Sequence, residues 1–304
     1  HSVVQRKTLK TRTKSVKSSL RPTRRAERPN TNAGWRPTRS DTGVEMVSIM
    51  VLILSCVDLA SAFVPRGSTR FIGTGSLLQA QLGLLSFDLD DTLFPTSAVV
   101  NQANALMIQY MQRLGVDTTE DAFLATIKSI RRTLEQPITY TNLRKLAIQD
   151  EIRQQKPELL TTVADEKLQF DAIVDDCFDL WLDERHRAAE QFLFQDTIPT
   201  LKELFQEDVC IAAITNGRGN PLDMPLLAPY FDFCVSGEDD HVFPERKPYP
   251  GIYQAALQEY QERYPHHSDR SWIHVGDCLA NDVAASANLG AYAVWLAPES
   301  ELQQ

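Results

Sequence analysis

Apolar residues are distributed along this chain in two different ways, and the change from one to the other divides it. Five short runs, Leu82 to Leu89, Val209 to Thr215, Phe231 to Ser236, Trp272 to Val275 and Ala291 to Leu296, are close to continuously apolar. Runs of this kind predict strands buried on both faces, since a strand with one wet face alternates instead. After the second run, strand-like and helix-like segments alternate, which predicts a parallel sheet with helices on both faces. Residues 97–197 behave differently: glycine is almost absent and apolar positions recur at helical spacing. Gln102 to Gly115 is an amphipathic pattern that stops at a glycine, Asp117-Thr118-Thr119-Glu120 opens another helix, and Phe170 to Phe194 holds one or two more. The expected architecture is a three-layer α/β core over 81–96 and 198–304, interrupted by an all-helical domain over 97–197.

Upstream of the first run the composition changes. The chain of 304 residues is 43% hydrophobic with a net charge of -9, but residues 1–45 hold twelve Lys or Arg against three acids, which leaves nineteen against thirty-seven elsewhere. So acidic a body suits a nucleic-acid backbone poorly, and no nucleic-acid partner is expected. The basic leader has no aromatic interleaving beyond Trp35 and no periodicity, and is expected to be disordered or untranslated. Met46 is the natural start. Val47 to Val57 is too short for a span of about 20 apolar residues. Ala60-Ser61-Ala62 follows as a small-residue cleavage site, so 46–62 reads as a signal peptide. Residues 63–80 lack acids and contain Arg and Ser in the manner of a transit peptide. The junction Ala60-Ser61-Ala62-Phe63-Val64-Pro65 resembles the two-part plastid presequence of algae with secondary plastids. That resemblance implies a plastid stromal protein with no membrane attachment after processing. Ordinary secretion is the alternative; a membrane anchor is disfavoured by Asp58 and the short apolar core.

Candidate chemistry begins where the first run ends, in Phe87-Asp88-Leu89-Asp90-Asp91-Thr92-Leu93. Carboxylates two residues apart at a strand end point to the same side. Like charges that close resist ionisation unless a cation removes the cost, and hard oxygen donors of this kind suit Mg2+ beside a substrate phosphate. Asp88 and Asp90 therefore read as metal-linked, one of them a candidate nucleophile. The plainer alternative is a strand running into a solvated acidic turn capped by Asp91 or Thr92. Three later strings shift the balance. The second run ends in Thr215-Asn216-Gly217, a hydroxyl and a turn suited to a phosphate oxygen; Lys247-Pro248 places one cation before a helical stretch; and Trp272 to Val275 runs into Gly276-Asp277-Cys278-Leu279-Ala280-Asn281-Asp282.

In this order and with these gaps, the four strings resemble the haloacid dehalogenase superfamily, in its phosphatase branch, over Leu82 to Pro298. The resemblance implies a Rossmann-like core with an inserted helical cap that closes over the site and chooses the substrate. It implies that Asp88 attacks phosphorus to form an aspartyl phosphate, and that Asp90 protonates the leaving oxygen and later deprotonates water. Thr215 and Lys247 are implied to hold the phosphoryl group; from their place directly after Thr215, Asn216 and Arg218 are in reach of the leaving group, Asn216 being the favoured of the two. Mg2+ is implied on Asp88, the backbone carbonyl of Asp90, and Asp277, with Asp282 acting from farther out or through water. Dehalogenases of the superfamily lack the second carboxylate because a halide needs no proton, so Asp90 argues for phosphate chemistry. The strings look most like the bacterial phosphatases acting on the ribitylamino-pyrimidine phosphate of riboflavin synthesis and on flavin mononucleotide. Phosphoglycolate and sugar phosphates are the alternative substrates; a dehalogenase-type hydrolase or a catalytically inactive binding protein are the alternative classes. The expected partner is a small phosphorylated metabolite.

Other residues are read more plainly. Tyr140-Thr141-Asn142-Leu143-Arg144 is the segment of the insert that either faces the substrate, its Arg contacting a second anionic or ring group, or is solvated helix surface, the second being favoured. Trp181 reads as core and His274 as packed within a strand, and none of the six histidines has a partner at metal or triad spacing. Of five cysteines, Cys56 leaves with the signal, and the others show no C-x-x-C spacing or His pairing, so neither a zinc site nor a disulfide framework is expected.

Overall fold

The computed structural model describes residues 69–72, 82–157, 164–207, 209–267 and 269–297. The chain divides into 1–39 and 40–304, and every described residue belongs to the second unit. The basic leader, the signal peptide and most of the transit-like segment lie outside the described residues. Among the described residues no helix is long and apolar enough to cross a membrane.

The sheet is built from β1 (Thr69–Ile72), β2 (Leu82–Phe87), β3 (Cys210–Thr215), β4 (Phe233–Ser236), β5 (Ser271–Gly276) and β6 (Tyr292–Leu296), in the order β1-β6-β5-β2-β3-β4. Its five strands from β2 to β6 run parallel and coincide with the five apolar runs. A sixth strand, β1, lies inside the segment read as transit peptide and pairs antiparallel with β6, covering what is otherwise an open edge.

Alternate residues of the strands feed two separate cores. Leu85, Phe87, Ile211, Ala213, Ile273 and Val275 pack on one face with Leu201 and Leu204 of α5 (Thr197–Leu204). Leu84, Ala212, Ile214 and Trp272 pack on the other with Ile252, Tyr253 and Ala256 of α6 (Pro250–Arg263). This is a three-layer α/β fold, and burial on both faces is why the strands read as continuous apolar runs. Parallel register sets Phe87 beside Ala213 and Val275, so Asp88, Thr215 and Asp277 emerge together at the carboxyl edge, where open sheets of this type bind ligands.

Between β2 and β3 the chain forms α1 (Thr96–Arg113), α2 (Glu120–Thr133), α3 (Tyr140–Gln155) and α4 (Ala164–Gln191). They have an apolar cluster of their own, in which Met107 and Met111 of α1 meet Phe123, Ile148, Val174 and Phe178. The residues that end and begin these helices do so by local chemistry. Gly115, at φ 79, takes the left-handed conformation that lets Val116 N donate to Met111 O at 3.0 Å and Gly115 N to Gln112 O at 2.9 Å, closing α1. Thr119 caps α2 by accepting from Ala122 N at 3.3 Å, and Thr139 caps α3 by accepting from Asn142 N at 3.0 Å.

Candidate active site

Asp88 follows β2 directly, its N–H extending the β2–β5 ladder to Val275 O at 2.9 Å. The chain then turns at Asp91, whose φ of 58 is a left-handed conformation that Asp tolerates better than most residues. The Asp91 carboxylate accepts from Thr96 N at 2.9 Å, at the start of α1, so the third acid of the string is a turn and helix-start residue. Asp88, Asp90 and Asp91 all line the cleft, but of the three only Asp91 is spent on the start of the helix.

Lys247 Nζ sits 2.5 Å from Asp88 Oδ1 and 2.8 Å from Asp282 Oδ1, and all three residues are buried. Burial opposes the charge on Lys247, but Asp88 and Asp282 outweigh it and raise the ammonium well above its usual range. One ammonium between two carboxylates does not serve both equally. Burial would raise Asp282, but Lys247 and His274 hold it well below the usual carboxylate range. Burial dominates at Asp88 and, with Asp282 nearby, pushes it up to about 7 despite Lys247. Partial burial, with Asp282 and Asp91 nearby, pushes the half-buried Asp277 up to about 6.

Carboxylate oxygens of Asp88, Asp277 and Asp282 lie within 4.8 Å of one another. Three acids share one lysine, and two of them resist ionisation for want of a second cation. This donor set fits a divalent cation, whose charge removes that cost. Asp282, expected farther out, stands in the cluster itself. Its position depends on Gly276, where a Cβ would come within 2.4 Å of the Asp282 carboxyl carbon. It also depends on Leu279–Ala284 winding as a π-helix, an irregularity common at functional sites.

Behind the cluster runs a buried chain of hydrogen bonds that sequence spacing did not show. Trp272 Nε1 donates to Ser86 Oγ at 2.7 Å, leaving the single Ser86 proton for His274 Nδ1 at 2.8 Å or Ile273 O at 3.4 Å. The shorter contact wins, so Nδ1 accepts and Nε2 carries the ring proton, which it donates to Asp282 Oδ1 at 3.3 Å. Burial lowers the His274 pKa, keeping the ring neutral. His274 is thus packed, as expected, but also partnered. Nitrogen NMR of the labelled protein at about pH 8 should show a neutral Nε2–H tautomer, and an Nδ1–H signal would refute the assignment.

Thr215 ends β3 fully buried, its Oγ1 accepting from Gly217 N at 3.2 Å. Asn216 Nδ2 donates to Lys247 O at 3.0 Å, tying the second string to the third, while its Oδ1 is buried with no hydrogen-bond partner among the described residues. Asp90 is gripped from the helical insert: Arg185 Nη2 of α4 lies 2.7 and 2.9 Å from its two oxygens.

A single cleft of about 560 Å3 is lined by Asp88, Asp90, Thr215, Asn216, Lys247, Asp277 and Asp282, so the structure brings together every residue singled out for the site. The insert closes its other side. The preference for a solvated α3 start is overturned here. Glu238, buried after β4, accepts from Thr141 N at 3.1 Å and from the Thr141 hydroxyl, anchoring the amino end of α3 to the core. Arg144, one turn on, lies with its guanidinium 3.8 Å over the Trp181 ring, and both line the cleft. Trp181 is core, as read, and also cleft wall.

The family described as haloacid dehalogenase-like hydrolase matches residues 83–290. Among solved structures, a 2-haloacid dehalogenase from Pseudomonas syringae pv. Tomato DC3000 superposes with a TM-score of 0.55 at 23% identity, over 70% of this chain and 85% of that one. A magnesium-bound HAD-hydrolase from Bacillus subtilis gives 0.46 at 19% identity, over 70% and 87%. A HAD phosphatase from Thermococcus onnurineus gives 0.44 at 21%, over 70% and 85%. No curated protein matches the sequence.

Proposed function

Because the chain belongs to the haloacid dehalogenase-like hydrolases, we propose that it is a Mg2+-dependent phosphatase acting on a small phosphorylated metabolite. The observation that carries this reading is that a second carboxylate, Asp90, opens into the same cleft as Asp88 and its three-acid cluster. A displacement that expels an alkoxide is helped by a proton donor within reach of the leaving oxygen; one that expels halide needs none.

Asp88 attacks phosphorus while Asp90 gives its proton to the departing ester oxygen, producing the alcohol and an aspartyl phosphate. Asp90 then removes a proton from water as that water attacks the same phosphorus, which returns Asp88 as carboxylate, Asp90 as acid, and free phosphate. Lys247 and Thr215 offset charge on the phosphoryl oxygens in both halves. Asp88, Asp277 and the backbone carbonyl of Asp90 would hold Mg2+, with Asp282 directly or through water. When bound, the ion supplies the positive charge that lets a carboxylate approach a dianionic ester. The helical insert acts as the cap, and through Arg185 it sets where the Asp90 oxygens point.

Sequence resemblance puts forward the ribitylamino-pyrimidine phosphate of riboflavin synthesis and flavin mononucleotide as substrates, with phosphoglycolate and sugar phosphates as the others. The presequence reading supports a plastid stromal setting. Purified protein with Mg2+ is expected to release inorganic phosphate from small esters and to stop on chelation. Halide release from a 2-haloacid without phosphate release would overturn the reading.

Metal binding should carry a proton signature. Asp88 at about 7 and Asp277 at about 6 are partly protonated in neutral solution, and ligation needs them ionised. Mg2+ affinity is therefore expected to rise with pH between roughly 5 and 8, with protons released on binding. Calorimetry in two buffers of different ionisation heat reads this directly, and a pH-independent affinity with no proton release would count against these ligands.

A further inference from the structure

We propose, resting on the phosphatase reading, that the substrate carries a second anionic group besides its phosphate, received by Arg144 with Arg131 on the helical insert. The carboxylates lining the cleft come from the α/β core, which also supplies Lys247 and Arg218, whereas among the described residues the insert contributes Arg131, Arg144 and Arg185 and no acid. Arg185 is taken up by Asp90.

Arg144 has no carboxylate partner among the described residues. Its Nη1 donates to a neutral amide oxygen, Asn104 Oδ1, at 2.8 Å, and Asn104 in turn donates to Glu120 at 2.9 Å, so the nearest counter-charge is one residue removed. Trp181 Nε1 donates to the same oxygen at 3.0 Å. With Asn104 fully buried, these contacts fix the guanidinium plane against the indole before any ligand arrives. Burial and the nearby Arg185 push the Arg144 guanidinium down to about 9, as expected of a cation held without a counter-ion. An anion at the cleft wall supplies what the protein does not.

A neutral planar ring fits less well. Both aromatic rings that reach the cleft already carry a guanidinium: Arg144 over Trp181, and Arg246 over Tyr140 at 4.5 Å with Arg131 at 5.9 Å. A cleft of about 560 Å3 also has room for much more than a phosphoryl group.

Two matched pairs of esters test this: 2-phosphoglycolate against 2-hydroxyethyl phosphate, and fructose 1,6-bisphosphate against fructose 6-phosphate. The first pair reports a carboxylate and the second a further phosphate. Expected is a kcat/KM preference on the order of 100-fold for the doubly anionic member of at least one pair, expressed mainly in KM. Arg144→Met should collapse that ratio and Arg144→Lys should restore part of it. If Arg144→Met does not fold, Arg131→Met at the exposed rim should lower the same ratio. Equal kcat/KM within both pairs overturns the inference while leaving the phosphatase reading intact. If no ester is hydrolysed, the phosphatase reading fails. Calorimetric binding of the first pair to the wild-type protein then decides the anion site alone, tighter binding of phosphoglycolate supporting it and equal binding overturning it.

Discussion

Asp88→Asn is expected to lower phosphate release on the order of 10⁴-fold or more, the scale seen when a covalent nucleophile is removed, while the fold persists. The amide matches the carboxylate in shape but has no oxygen able to capture phosphorus. Stability separates this from simple damage. The folded Asp88 pKa of about 7 lies above the ordinary aspartate value of 3.8, so the folded state holds its proton more tightly than the unfolded chain does. The ionised side chain therefore costs stability as pH rises from about 4 to 7, and the cost is full above that. An asparagine never incurs it. Metal-free Asp88→Asn should accordingly melt no lower than wild type near pH 8, with any advantage shrinking toward pH 5. Surviving turnover would show that another group is the nucleophile; a collapsed melting temperature would show that the carboxylate is structural.

How much of this was readable before the structure depends on how far apart the cooperating residues stand. β2 to β6 were legible because a strand buried on both faces must be apolar throughout. Asp88, Thr215, Lys247 and Asp277 were legible because each ends an apolar run or follows a fixed turn, and parallel strands deliver such ends to one edge. Arg185 was not. It lies 95 residues from Asp90, inside Glu184-Arg185-His186-Arg187, a cluster that looks like any solvated helix face. Only the packing of α4 against the core turns it inward. Arg144 was misjudged for the same reason, since the docking of α3 on Glu238 spans 97 positions and leaves no local pattern. His274 was read as packed without its partner, because Asp282 comes back to it through the π-helical turn, at a spacing that matches no metal or triad motif. β1 is four residues long and sits where composition pointed to a presequence, so nothing periodic announced it.

Lys247→Met is expected to destabilise the metal-free protein by about 3–5 kcal/mol near pH 8, the usual cost of removing one member of a buried ion pair. It is also expected to lower turnover roughly 10³-fold through lost stabilisation of the phosphoryl charge. The stability loss has a pH dependence that ordinary packing damage lacks. In the wild type, Lys247 is the main reason that Asp282 is held below the usual carboxylate range, so Asp282 contributes stability that is present above its unfolded pKa and is lost as pH falls below about 4. Without the ammonium, Asp88 and Asp282 are two buried like charges beside Asp277, and each becomes harder to ionise. The variant should therefore regain stability as pH falls from about 8 to 5 and the carboxylates take up protons. Urea unfolding at several pH values reads the effect. Combining Lys247→Met with Asp88→Asn should recover part of the loss, because one of the stranded charges is then gone and the two sites are in direct contact. Parallel pH profiles for variant and wild type, or strictly additive losses in the double variant, would mean that Lys247 holds the strand ends together by packing alone and that its charge does not organise the acids around it.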